Sequence, residues 1–248
     1  MRLYLHQLRT EQLTFWRSRE SAVFIFVFPL LLYALLGAVY GDETDGLPSA
    51  DVLLAGLLAY GCANTAFAGL AITLVIRRES GLLKRIRATP LPTTTYLAAV
   101  LTSALVTFAI QTVALVLLGR FLYGADVPDR IPSLVLVILL GTAAFAGLGL
   151  GMASMIRSAE GSSAVVNVVL LPMAFLSGSF GPTRKFPDWL QHLSDVLPLK
   201  HFVEVANGVL LHDRPFWHDP WSIAIVAAWG LAGLAVARAR FSWQPREG

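Results

Sequence analysis

Six long apolar runs dominate the pattern of hydrophobic and polar positions along this chain. Each approaches the roughly 20 consecutive apolar residues that an α-helix needs to cross a bilayer. None of them contains Asp, Glu, Lys, Arg or His, and none shows the alternation of a β-barrel strand. The pattern therefore predicts membrane-spanning helices, at 21–40, 52–76, 94–119, 133–156, 162–178 and 221–237.

The N-terminal segment, residues 1–20, has a different pattern. On a helix, one face carries Tyr4, Leu5, Leu8, Gln12 and Phe15. The polar residues that point elsewhere are His6, Thr10, Thr14 and Arg17. This predicts an amphipathic helix in the membrane interface, and a soluble tail is the alternative.

The segment 179–220 is too apolar for a free loop and too short for a domain. Its leucines keep helical spacing until Pro198 interrupts them, which predicts two short helices against or within the outer leaflet. The chain, 1–248, is thus a single all-α transmembrane domain, divided into 1–20 (interfacial helix), 21–178 (spans one to five), 179–220 (external re-entrant helices) and 221–248 (span six and tail).

Composition agrees with a multi-pass membrane protein. The chain is 56% hydrophobic and only 14% charged, whereas soluble domains carry about 25% charged residues. One cysteine, Cys62, gives neither a disulfide framework nor a cysteine metal site. The arginines flank the spans and form no extended basic face, which argues against nucleic-acid binding.

The charges are distributed unequally between the two sides of the predicted bundle. The side with both termini carries thirteen basic and five acidic residues, against six basic and eleven acidic on the other. Because positive charge is retained in the cytoplasm, we expect a plasma-membrane protein with both termini cytoplasmic.

The basic segment, residues 77–93, reads "RRESGLLKRIRATPLPT" and joins the second and third predicted spans. It predicts a short helix from Glu79 to Ala88, with leucines on one side and cations around the other, ended by Pro90. The segment could mark topology only, or it could dock a partner.

These residues resemble the ABC-2 type permeases, the membrane subunits of ATP-binding cassette exporters. That family carries a Glu and then Gly-x-Leu-Lys-Arg-x-Arg-x-Thr-Pro after its second span. A second match follows the fifth predicted span, although Glu204 and Asn207 stand where the family often has Arg or Gln. The residues of the second match are Leu176, Ser177, Gly178, Pro187, Trp189, Leu190, Pro198, Leu199 and His201.

The resemblance implies that the basic segment is a coupling helix on a separate ATPase. The chain has no G-x-x-x-x-G-K-[ST] motif of its own, so we expect it to bind no cofactor. ATP and Mg²⁺ would belong to two copies of the partner. A second permease, a copy or a sister subunit, would complete a two-fold pair. The expected ATPase-coupling residues are Glu79, Gly81, Leu82, Leu83, Lys84, Arg85, Arg87, Thr89 and Pro90.

The uncharged spans argue against an ion-coupled carrier. In the resembled family the second and fifth spans line the pathway, which here predicts a lining for a hydrophobic or amphipathic drug, antibiotic or lipid. Asparagines in spans can instead bond a neighbouring helix, and the glycines of "FAGLGLGMAS" predict close helix packing. The expected lining residues are Tyr60, Asn64, Phe67, Asn167, Leu171 and Phe175.

Two other readings remain open. A lipid-modifying enzyme with an external site would need a nucleophile beside a base, and Ser177 has no base near it in the sequence. A structural scaffold would not need polar pathway faces. The repeated His-Asp pairs at 212–213 and 218–219 could bind metal, but their aromatic neighbours favour an interfacial belt, so no catalytic or metal residue is expected.

Overall fold

The chain folds into a bundle of long helices. The computed structural model describes residues 2–40, 43–44, 47–183 and 186–245. Of the charged residues counted above, Asp42, Asp45, Arg184, Lys185, Arg246 and Glu247 lie outside these ranges. The elements in chain order are α1 (Arg2–Arg17), α2 (Arg19–Ser21), the π-helical segment π1 (Ala22–Val27), α3 (Phe28–Tyr40), the two-residue antiparallel strands β1 (Glu43–Thr44) and β2 (Leu47–Pro48), α4 (Ser49–Cys62), the π-helical segment π2 (Ala63–Gly69), α5 (Leu70–Glu79), α6 (Leu82–Arg87), α7 (Thr93–Tyr123), α8 (Ile131–Met155), α9 (Ser162–Leu176), α10 (Asp188–Val196), α11 (Pro198–Leu210), a 3₁₀ turn (Phe216–His218) and α12 (Pro220–Arg240).

Five helices in the described ranges are long and apolar enough to cross a membrane, which confirms the all-α membrane class. The fifth predicted span is the shorter helix α9, whose 15 residues extend about 22 Å against a hydrocarbon core of about 30 Å. The total of six spans therefore stays a prediction. The five are the first span (Ala22–Tyr40), the second (Ser49–Glu79), the third (Thr93–Tyr123), the fourth (Ile131–Met155) and the last (Pro220–Arg240).

Side-chain contacts show which segments lie at each end of the bundle. At one end, named the basic end, Glu11 of α1 pairs with Arg77, and Trp243 of the C-terminal tail packs on Tyr96. At the opposite end, named the acidic end, Arg130 pairs with Asp213. The described termini thus share an end with the basic segment, as the charge grouping requires, and the side of the membrane they face stays a prediction.

The fourth and last spans pack backbone against backbone. A Cβ added at Gly233 would lie 2.5 Å from the Gly147 oxygen, and one added at Gly151 would lie 2.8 Å from the Gly233 oxygen. Real Cβ atoms do not approach so closely, so only glycine permits this contact. The close packing predicted for the fourth span is confirmed.

Helix α1 lies along the third span through polar contacts. Tyr4 donates to the Thr102 hydroxyl at 2.8 Å, and Gln12 donates to the Ser103 hydroxyl at 2.8 Å. Leu5, which the pattern placed on the same face as Tyr4, is 53% exposed. The helix is present as predicted, but hydrogen bonds, rather than apolar contacts alone, attach it to the bundle.

The two π-helical segments, π1 and π2, contact each other inside the bundle. A π-helix bonds i to i+5 and disturbs the regular ladder of carbonyl acceptors. The side chains of Asn64 and Gln111 donate to the carbonyls of π1: Asn64 to Phe24 at 2.9 Å, and Gln111 to Ile25 at 2.9 Å. These two amides bind carbonyls of π1 and so join the first span to the second and third spans.

The two helices predicted within 179–220 are present as α10 and α11, with Pro198 at the start of α11, where its missing N–H costs nothing. His201 of α11 lies 3.1 Å from the Ser222 hydroxyl, which donates to Glu204 at 3.0 Å. Partial burial raises the pKa of Asp219, but hydrogen bonds from Ser222 outweigh it and leave that pKa below its ordinary value. This cluster ties the hairpin to the start of the last span.

Candidate functional site: the basic segment and the polar interior

The basic segment contains a short helix that a left-handed glycine separates from the second span. Helix α5 ends at Glu79, and Gly81 adopts φ +72°, a left-handed conformation that favours glycine and closes a helix C-terminus. A new helix then runs from Leu82 to Arg87. The helix predicted from Glu79 to Ala88 is therefore shorter than expected, and Glu79 belongs to the end of the second span.

The side chains of α6 separate into an inner and an outer set. Leu83 is fully buried and anchors the helix on its own bundle, whereas Leu82 is 40% exposed. The remaining predicted coupling residues face outwards: Lys84, Arg85, Arg87, Thr89 and Pro90 are exposed. The exposed surface of α6 therefore consists of Leu82 and three cations, and Thr89 and Pro90 extend it beyond the end of the helix.

Arg78 fixes the base of this segment to the fourth span. Its side chain is buried and donates to the carbonyls of Ala153 at 2.9 Å and Ile156 at 2.6 Å, and to Glu79 at 2.7 Å. A cation at a helix C-terminus meets unpaired carbonyls and the negative end of the dipole. Nothing in the sequence pattern singled out Arg78 from the other flanking arginines.

A second support joins the segment to α1. Arg77 forms a bidentate pair with Glu11 at 2.9 and 2.7 Å, and its Nη1 also donates to the Tyr96 hydroxyl at 2.9 Å. Such two-point pairs fix geometry as well as charge. Since Glu11 is nearly buried, the pair holds α1, the second span and the third span as one body.

The predicted lining residues of the second span lie inside the bundle. Tyr60 and Phe67 are each 3% exposed, and Asn64 is 8% exposed and bonded to the Phe24 carbonyl. Within a single chain these three side chains therefore pack helices. Whether Asn64 also lines a pathway in an assembly stays a prediction.

The predicted lining residues on α9 lie on an open face. Phe175 is 60% and Leu171 40% exposed, and Asn167 donates to the Ser163 carbonyl of its own helix at 2.8 Å. Phe180 stacks on both Phe175 and Tyr60, at 4.9 and 5.0 Å between ring centroids. The structure thus brings Phe175 and Tyr60 together and leaves Asn167 apart.

Gln111 is an interior residue that the sequence pattern did not single out. It is fully buried in the third span, donates to two carbonyls of π1 and accepts from Thr65 at 3.4 Å. A lone glutamine in an apolar run was the available signal. Gln111 lies where the first, second and third spans meet.

A metal site would need clustered metal-ligating side chains, and a nucleophilic serine would need a base beside it. No three His, Cys, Asp or Glu side chains converge there in a group that could hold a metal ion. Ser177 is buried and bonds Ala174 and Ser179, while Ser222, which does neighbour a histidine, is 2% exposed.

The described helices define a multi-pass membrane protein, and the basic segment presents exposed cations at one end of the bundle. A family model described as ABC-2 type transporter matches residues 3–211. The chain belongs to this family.

Three relatives illustrate the similarity. The "Probable multidrug ABC transporter permease YbhR" and the "Inner membrane transport permease YhhJ", both of Escherichia coli strain K12, are 23% and 28% identical over 172 residues. Those matches cover 68% of this chain but 47% and 45% of the relatives, so the chain spans about half their length. The "Putative transport permease YvfS" of Bacillus subtilis strain 168 is 27% identical over 210 residues, 82% of this chain and 83% of the relative.

Proposed function

We propose that this chain is the permease of an exporter in the inner membrane, one half of a two-fold pair driven by a separate ATPase. The observation that carries the proposal is the basic segment. Its outer surface presents Leu82 beside Lys84 and Arg85, and its base is fixed by Arg78 and Arg77. A segment held this firmly can transmit a rigid-body movement of a partner, and its cations complement an acidic rim.

The proposal makes the chain a non-catalytic subunit, with ATP and Mg²⁺ on the partner. The test is purification of the tagged chain from its native membrane, with identification of every protein retained. Recovery of an ATPase that carries a P-loop supports the proposal. A chain recovered without one, from membranes in which such an ATPase is expressed, counts against it.

The open faces of the first span and α9 support the two-fold pair. The first span has few buried residues, and α9 is too short to cross the core easily alone. Both present apolar side chains outwards, which a second permease would cover. The exposed residues are Val23, Phe24, Leu31, Leu35 and Val39 on the first span, and Val165, Val168, Val169, Leu171 and Phe175 on α9.

The orientation gives a direct test. We propose that the basic end is cytoplasmic, because its charge is positive. In a Cys62-free chain, a cysteine at exposed Asp129 should react with an impermeant thiol reagent added to whole cells. One at Ser80 should react only after the membrane is permeabilised. Labelling of the Ser80 position in intact cells would reverse the orientation.

The pathway prediction concerns α9. We expect Asn167→Trp to reduce substrate-stimulated ATP hydrolysis by the purified complex severalfold while assembly is intact, because a bulky ring would narrow a pathway beside this helix. Val113→Trp, on an exposed position of the third span, is the matched control. If both variants assemble and hydrolyse ATP normally, Asn167 does not face the pathway.

The expected substrate is hydrophobic or amphipathic: a drug, an antibiotic or a lipid. The uncharged spans support this class, and one relative bears the name of a multidrug permease. The enzyme alternative would require an accessible nucleophile beside a base, and the serine nearest a histidine among the described residues is buried. No observation favours it.

A further inference from the structure

A cavity of about 370 Å³ lies at the basic end between α1, the second span and the third span. The residues that form its wall on the second span are Thr65, Gly69, Leu70, Thr73, Ile76, Arg77 and Ser80. The predicted pathway residues Tyr60, Asn64 and Phe67 are not part of it. The cavity is named the α1 groove, and it adjoins the basic segment, whose Arg77, Ser80 and Leu82 also line it.

The α1 groove is long. Thr65 and Ser80 are at most about 22 Å apart along a helix at 1.5 Å per residue. Since Ser80 lies at the basic end, the groove extends from the membrane surface to about the middle of a hydrocarbon core of about 30 Å. A soluble partner docked on the basic segment could cover the mouth but could not fill this depth.

Polar groups line the groove at both depths, but those at the mouth include an ion pair. The mouth contains the Glu11–Arg77 pair and the exposed Ser80 and Thr14. Hydroxyls deeper in the wall are already engaged, since Gln12 donates to both Ser103 and Thr107.

The rest of the deep wall is apolar. Its residues include Ile25, Leu70, Val100 and Ala104. The deep part therefore offers a ligand mainly apolar surface, whereas the mouth offers hydrogen-bond partners.

We propose that the α1 groove binds one acyl chain of a membrane phospholipid, with the headgroup at the mouth beside Ser80. The depth of the groove, the ion pair at its mouth and the apolar residues deeper in its wall fit an amphiphile standing in one leaflet. Because Glu11 and Arg77 neutralise each other, a zwitterionic phospholipid suits the mouth. The lipid fills the space that α1 leaves as it lies over the second and third spans, and the proposal does not depend on the ATPase or on the transported substrate.

The experiment uses the full chain, purified with any bound partners in nanodiscs of phosphatidylcholine that carries a diazirine on one acyl chain. The sample is exchanged extensively into lipid-free dodecyl maltoside and then irradiated, and adducts are mapped by mass spectrometry. A lipid held by buried methylenes survives the exchange and bulk lipid does not, so adducts at Val100 and Ala104 should exceed those at exposed Val113 by about tenfold or more.

Ala104→Trp fills the groove and should remove the retained adducts, whereas Val113→Trp, on an exposed position of the same helix, should leave them unchanged. The wild-type adduct distribution tests the proposal even if Ala104→Trp does not fold. Equal or absent labelling at Val100 and Val113 after exchange overturns the proposal. Groove adducts that vanish when a bound ATPase is trapped with ATP and vanadate also overturn it, because the groove would then belong to the transport route.

Discussion

The double reversal Arg85→Glu and Arg87→Glu is expected to release the ATPase from the purified complex. Both side chains are exposed on α6, so the fold of the chain does not depend on them. Opposing charges at an acidic rim would become like charges, which costs several kcal/mol where the contact is desolvated. We expect retention of the ATPase in a pull-down to fall by about 10- to 100-fold, since 1.4 kcal/mol corresponds to about tenfold.

Two controls make this test specific. Arg9→Glu with Arg17→Glu reverses two exposed cations of α1 and changes the charge of the basic end equally, so it should retain the ATPase. Correct insertion of both variants is checked with the Ser80 cysteine. A correctly inserted double reversal that holds its ATPase and stimulates hydrolysis normally would reduce the segment to a topology marker.

Glu79 acts differently from the cations of α6. Its carboxylate accepts from the buried Arg78, so Glu79→Ala would remove a support under the segment and leave its outer surface unchanged. We therefore expect the Glu79→Ala chain to retain the ATPase in a pull-down but to lose transport.

Gly233→Ala is expected to destabilise the bundle. Alanine at an ordinary helix interior is favoured over glycine by about 1 kcal/mol, but here the added Cβ would lie 2.5 to 2.7 Å from backbone atoms of Gly147 and Leu148. Overpacking of this kind costs about 1–3 kcal/mol. We expect the midpoint of thermal unfolding in detergent to fall by about 2–12 °C.

The matched control is Gly161→Ala. A Cβ there meets only the Ser158 hydroxyl at 3.2 Å, the end of a side chain that can rotate away. Its unfolding midpoint should change little. A Gly233→Ala chain as stable as the wild type would show that the fourth and last spans are less closely packed than described.

The long spans could be predicted from the sequence because a bilayer demands continuous apolar helices, and hydropathy alone reveals them. The close packing of the fourth span could also be predicted from its glycines, since close packing is the common reason for several small residues in one span. The basic segment was located correctly, but its helix was predicted three residues too early. The sequence alone does not show whether Gly81 continues a helix or adopts a left-handed conformation that ends it.

The pathway face predicted on the second span stays a prediction, but the helical period on which it was based does not hold there. Tyr60, Asn64 and Phe67 were assigned to one face with the period of an α-helix, but π2 begins at Ala63 and changes the period within that stretch. The partners of Arg77 and Arg78 lie on α1 and the fourth span, so their roles depend on tertiary contacts. Charge counting identified both arginines only as flanking cations.

Arg78 has a consequence for biogenesis. Its carbonyl partners at Ala153 and Ile156 emerge from the ribosome more than seventy residues after Arg78 itself. Until the fourth span enters the membrane, the base of the basic segment lacks this attachment. The proposed docking surface is therefore completed late in synthesis. An ATPase that requires this surface would bind permeases whose fourth span is already in place, and it would not bind truncated chains.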